Sequence, residues 1–169
     1  MPGQARQAPS LPRSQFEEDQ VAKIHKGGCQ CGAVRYEIRA DPIMVYACHC
    51  SICQRQSGSA FAMAAAFPAD AFTMLGTPPA HFIRQGHGRK FRCYFCPECG
   101  SRIYHQWFTE EGDTPFRNIK PGTLDDRSWL RPGCHVWTEN AQPWVRFAAD
   151  DVVFAQQPGL DQMPRFQGA

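Results

Sequence analysis

The chain lacks any apolar run that approaches the roughly 20 residues a transmembrane helix needs, so no membrane span is expected. It also lacks an excess of charge. Eighteen Lys and Arg against 16 Asp and Glu give a formal net charge of +2, which supplies no electrostatic reason for a nucleic acid or membrane partner. The first residues, MPGQARQAPSLPRSQ, lack the apolar core of a secretory signal, and the reading places the protein in the cytoplasm. Internal repeats and low-complexity tracts are absent. No segment of helical length beyond the first two dozen residues keeps a convincing 3.6-residue period.

What the chain does have is cysteine, nine in 169 residues. In a reducing compartment such a number points to metal or thiol chemistry rather than to a disulfide framework, and an odd count fits complete pairing poorly. Disulfides in an exported protein are the alternative reading.

Residues 1–24 are polar and rich in Pro, Gln and Arg, with Ser14 and Glu17 spaced as a capping box that would open a short helix. From Gly27 the pattern turns to strands. AVRYEIRA sets Val34, Tyr36 and Ile38 against Arg35, Glu37 and Arg39, the alternation of a half-buried strand. SAFAMAAAF, HFIRQ, KFRCYF, SRIYHQWF and WVRFAA are further candidates, punctuated by turns at residues 76–79, 85–88 and 120–122. The expectation is a mainly β fold with small sheets and few short helices. Its zinc-binding domain would span 25–155, between an N-terminal tail at 1–24 and a C-terminal tail at 156–169.

The cysteines form three clusters and one outlier, Cys134. In CPECG, Cys96 and Cys99 have the spacing of a zinc knuckle: two intervening residues let a tight turn aim both sulfurs at one ion. Gly100 allows the positive φ that such a turn often needs. Cys29 and Cys31, flanked by glycines in GGCQCG, can direct two more sulfurs. Two and two make a closed tetrahedral site, which is structural. Cys48, Cys50 and Cys53, in CHCSIC, have no obvious fourth partner and form an open site whose last position can take water or substrate.

GGCQCGAVRYE, CHCSICQRQSGS, FCPECGSRIYHQW and HVWTENAQPWV together resemble the glutathione-dependent formaldehyde-activating enzyme family, whose relatives include centromere protein V. The resemblance spans roughly residues 27–147 and implies a zinc-binding β fold of the Mss4-like kind. It implies that Cys29, Cys31, Cys96 and Cys99 hold a structural zinc, and Cys48, Cys50 and Cys53 a catalytic one, two ions per chain. The implied activity is a carbon–sulfur lyase reaction that joins glutathione to formaldehyde as S-(hydroxymethyl)glutathione. Many relatives have a basic residue directly after the third cysteine of the open site, where this chain has Gln54 followed by Arg55.

Around the open site, Arg55 is a candidate to pair with a glutathione carboxylate and Ser57 to donate a hydrogen bond. His49 is read as orienting the turn rather than as a ligand, and Cys93 and Cys134 as small buried residues. His135, Trp137 and Trp144 are read as core aromatics rather than pocket walls. Two other functional classes stay open at this point: a zinc module that binds a protein partner, and a thiol redox sensor.

Overall fold

The computed structural model describes residues 23–168, and the helix expected at Ser14–Glu17 lies outside them. The chain is mainly β. A three-stranded antiparallel sheet joins β1 (Ile24–Gly28), β2 (Arg35–Arg39) and β5 (Phe72–Met74) in that order. The second sheet has nine strands. Its members are β3 (Met44–Cys48), β4 (Ala62–Pro68), β6 (Ala80–Gly86), β7 (Arg89–Phe95), β8 (Arg102–Thr109), β9 (Gly112–Asp113), β10 (Phe116–Ile119), β11 (Cys134–Val136) and β12 (Val152–Phe154). The order runs β12-β11-β3-β4-β10-β8-β7-β6, with β9 hairpinned onto β8. β11 runs parallel to both of its neighbours, and the remaining pairs are antiparallel. One helix, α1 (Ser51–Ser57), follows β3.

Strand alternation builds two different surfaces on the large sheet. On β4, Ala65 and Phe67 are buried on the face that meets the small sheet, among Val34, Tyr36, Ile38, Ile103 and Ile119. Ala62, Ala64 and Ala66 point the other way, and their methyl groups leave space there. Opposed partners share a face, so the register carries one row of side chains across six strands: Met44, Ala66, Asn118, His105, Cys93 and Phe82.

The small sheet packs closely at Gly27 against the turn at Pro121–Thr123, where a Cβ would overlap the Tyr36 hydroxyl and stand 2.6 Å from the Thr123 carbonyl oxygen. Tyr36 is wholly buried there, its hydroxyl 2.7 Å from Thr123 Oγ1. One expected strand is not formed. WVRFAA lies outside every strand, because Pro143 precedes it and a turn from Gln142 to Val145 takes its first backbone bond. No helix among the described residues is long and apolar enough to cross a membrane.

Candidate functional site

The four-cysteine cluster sits where the two sheets are tied. Cys29 and Cys31 follow β1 of the small sheet, and Cys96 and Cys99 lie in the β7–β8 connection of the large one. Their sulfurs all lie within 4.8 Å of one another. Cys29 Sγ is 3.4 Å from Cys31 Sγ, which is 3.8 Å from Cys96 Sγ. Four sulfurs bound tetrahedrally at about 2.3 Å from zinc stand about 3.8 Å apart, so the set fits that ion. The knuckle turn closes with the Gly100 N–H donating to the Cys96 carbonyl at 2.9 Å, at a Gly100 φ of +71°. The Val34 N–H donates to Cys29 Sγ at 3.2 Å. Bonding from Ser101 holds the Cys99 thiol down to about 5. Cys31 receives the Ala33 N–H, but the sulfurs of Cys29 and Cys99 outweigh it and push the thiol up to about 12. Four thiols in such contact cannot all ionise without a cation, and a divalent ion removes the conflict.

The three-cysteine cluster has different surroundings. Cys48 ends β3 and Cys50 caps α1, accepting from the Cys53 N–H at 3.4 Å, which brings Cys53 one turn round onto the same side. The three sulfurs again lie within 4.8 Å of one another. Here Cys50 is held down by hydrogen bonds from Cys48, Cys53 and His87, while the Cys50 and Cys53 sulfurs push Cys48 up. The donor set is soft and short of one ligand, which fits zinc in an open coordination.

That cluster forms one wall of a cavity of about 80 Å³. Ala62 and Ala64 provide its room. Tyr46 on β3, with its hydroxyl donating to Asn118 Oδ1 at 3.0 Å, His105 and Trp107 on β8, and Lys120 just past β10 line it. Arg84, His87, Arg89 and Trp137 close the rim, and among the described residues no Asp or Glu lines it. Burial brings Lys120 down to about 8, and burial, then the charges of Lys120, Arg84 and Arg102, keep His105 well below its ordinary value. His87 and Trp137 stack with ring centroids 4.1 Å apart, and both hold positive φ, 51° and 58°. Left-handed backbone at two bulky residues stores strain, and here it sits at the mouth of the cavity.

The expected site residues divide accordingly. The seven cysteines fall into the two expected clusters. Arg55 and Ser57 do not line the cavity: Arg55 faces an outer groove, and the single Ser57 O–H donates within the helix end, to the Cys53 carbonyl at 2.9 Å, with those of Phe61 and Gln54 as alternative acceptors. His49 is wholly buried and bonds His135, with Nε2 and Nδ1 3.0 Å apart. Gln54 Nε2 donates to the His49 and Asn140 carbonyls at 2.7 and 2.8 Å, while its oxygen accepts from Gln142. A basic side chain in its place would have no acceptor for that last bond. Cys93 and Cys134 are buried and lie outside both clusters. Trp137 lines the cavity, contrary to the core reading, and Trp144 is 66% exposed. Sequence reading missed Lys120, Arg84 and His105. Their only signal was position on the same strand face as Tyr46 and Asn118, which needs the register to be known.

Comparison with known proteins adds two findings. The family model described as glutathione-dependent formaldehyde-activating enzyme matches residues 24–140. A crystal structure of a Rhodobacter sphaeroides protein is similar at 22% identity and a TM-score of 0.47, over 63% of this chain and 91% of that one.

Proposed function

Since the chain belongs to the glutathione-dependent formaldehyde-activating enzyme family, a family of carbon–sulfur lyases, we propose that it adds a small thiol, glutathione in the first instance, to formaldehyde or a related aldehyde, and catalyses the reverse cleavage. The observation that carries this reading is the face the three-cysteine cluster turns to the cavity: a ligand set short by one, opening onto space for a few atoms. Cys48, Cys50 and Cys53 would hold a catalytic zinc, and Cys29, Cys31, Cys96 and Cys99 a structural one. When bound, the catalytic ion supplies Lewis acidity and lowers the pKa of a nearby thiol.

The protein's own part is positioning and proton handling. In the addition, sulfur gives up its proton and bonds the carbonyl carbon, the π pair moves to oxygen, and that oxygen takes a proton. Lys120 is the group we assign to it. Its ammonium lines the cavity, and a value of about 8 suits proton transfer near neutral pH. His105 remains neutral under these conditions and cannot donate in this way. Trp107, Phe91 and Trp137 exclude water from the reacting atoms. The reading keeps the protein in a reducing compartment, the cytoplasm, where nine unpaired thiols persist.

The test is exchange NMR with ¹³C-formaldehyde and a panel of thiols on the zinc-loaded protein. The enzyme is expected to accelerate exchange between free aldehyde and thiol adduct, and Cys50→Ser to abolish the acceleration. Lys120→Met should lower kcat by about 10²-fold or more. No acceleration with any thiol and aldehyde pair would overturn the lyase reading in favour of partner binding.

A further inference from the structure

Behind the three-cysteine cluster lies a pair of imidazoles that the addition chemistry does not use. Cys48 ends β3 and Cys50 is extended as well, so both line the cavity while His49 between them turns away from it. Three bonds fix His49. Its N–H donates to the Val136 carbonyl at 2.9 Å, its carbonyl accepts from Gln54 Nε2 at 2.7 Å, and its Nε2 stands 3.0 Å from His135 Nδ1. β11 therefore grips the residue at two successive positions. Phe147 packs edge-on against both imidazoles, with ring centroids 5.5 Å from His49 and 5.0 Å from His135.

The pair ends on a carboxylate. His135 Nε2 is 3.8 Å from Asp151 Oδ2, and both side chains are mostly buried. Asp151 is itself held, since its Oδ2 accepts the Ala148 N–H at 2.8 Å and Arg131 Nη2 lies 3.9 Å from its other oxygen. This end decides where the protons sit. A neutral ring beside a carboxylate keeps its proton on the nearer nitrogen, here Nε2, which leaves His135 Nδ1 as an acceptor. His49 must then donate from Nε2. The opposite arrangement would turn a lone pair to the carboxylate and strand an N–H on His49 Nδ1, an atom buried without a partner among the described residues. Two buried imidazoles cost more to hold than apolar side chains of the same size, and a place between two ligands accounts for them.

We propose that Asp151 and His135 are positioning residues for the open cluster: through the His49 side chain they hold the turn between Cys48 and Cys50, and so the angle at which the two sulfurs meet an ion. The proposal rests on the reading of that cluster as a metal site, and it concerns residues that do not line the cavity.

The test is the zinc affinity of each cluster, measured by chelator competition on the full chain, with Cys50→Ser marking which of two ions belongs to the open site. His135→Leu and Asp151→Ala should weaken the open-site ion about tenfold or more and leave the ion of the four-cysteine cluster in place. His135→Asn, whose side-chain oxygen replaces Nδ1 as acceptor, should recover most of the affinity. A packing role alone would rank the variants the other way, with the bulkier apolar Leu ahead of Asn. Long-range ¹H–¹⁵N spectra of the wild type add a readout that no substitution disturbs: His49 and His135 should both carry their proton on Nε2. Unchanged affinity in both His135→Leu and Asp151→Ala, Leu ahead of Asn, or a proton on His135 Nδ1 overturns the proposal and leaves the open-site reading standing. A single ion per wild-type chain, held by the four-cysteine cluster, overturns both.

Discussion

The two cysteine clusters use the same side chain and meet opposite fates. The four-cysteine group lies in exposed turns at the joint between the sheets, with Cys31 and Cys99 open to solvent, and its sulfurs use every position of a tetrahedron. The three-cysteine group is largely buried and lines a cavity that, among the described residues, holds cations and no carboxylate. On the proposed reading, sulfur count and the surroundings of each cluster separate a clasp from a reaction site. Thiol chemistry alone does not.

Breaking each cluster should produce the largest contrast. Metal binding in small zinc modules is worth about 10–16 kcal/mol, comparable to the whole stability of a domain at about 5–15 kcal/mol. Cys96→Ser is therefore expected to yield insoluble or non-cooperatively unfolding protein by circular dichroism. Cys50→Ser should melt cooperatively and lose activity. Equal unfolding of both variants would erase the distinction.

Glycine substitutions sharpen the same contrast on a smaller scale. Gly27→Ala forces a methyl group against the buried Tyr36 ring and a backbone carbonyl, neither free to move, and should cost about 3 kcal/mol in urea denaturation. Gly86→Ala meets only the ends of Arg84 and Ile52 side chains, so stability should change by under about 1 kcal/mol.

A smaller effect comes from pH. His105 stays neutral in the fold because it is buried beside Lys120, Arg84 and Arg102. Below about pH 6.5 the unfolded chain takes up a proton that folded His105 refuses, so stability falls with acidity by about 1.4 kcal/mol per pH unit for this group. His105→Gln should flatten the slope by about half a proton at pH 6.5, rising to about nine-tenths of one at pH 5.5, measured by urea unfolding against the wild type. Identical slopes would show that His105 is protonated in the fold.

Much of this contrast was legible before any coordinates, because ligand spacing is local. Cys96-x-x-Cys99 and Cys48-x-Cys50-x-x-Cys53 declare themselves within a turn, and β2, β6, β7 and β8 fall on segments recognised by their strand composition. β3 hid because four of its five residues are buried and no alternation survives, and β11 because three residues carry too little pattern. Where Arg55 points was not legible from its sequence proximity to the cluster. Two residues beyond Cys53 on a helix is about 200° of rotation, which turns its side chain away from the sulfurs and over the groove. Lys120, at the end of a strand before Pro-Gly, looks solvated in sequence, and only the pairing of β10 with β4 and β8 brings it inside.

The most direct test of the open-against-closed distinction is to load the protein with cobalt and add thiol, since each thiolate on the metal strengthens the sulfur-to-cobalt charge-transfer absorption. The fully loaded protein should bind two cobalt ions per chain. Glutathione should raise the charge-transfer band as the open position fills, and S-methylglutathione, with no ionisable thiol, should leave it unchanged. In Cys50→Ser, which keeps the closed cluster, neither compound should alter the spectrum. Equal responses to both compounds, or no response to glutathione in the wild type, would contradict the account.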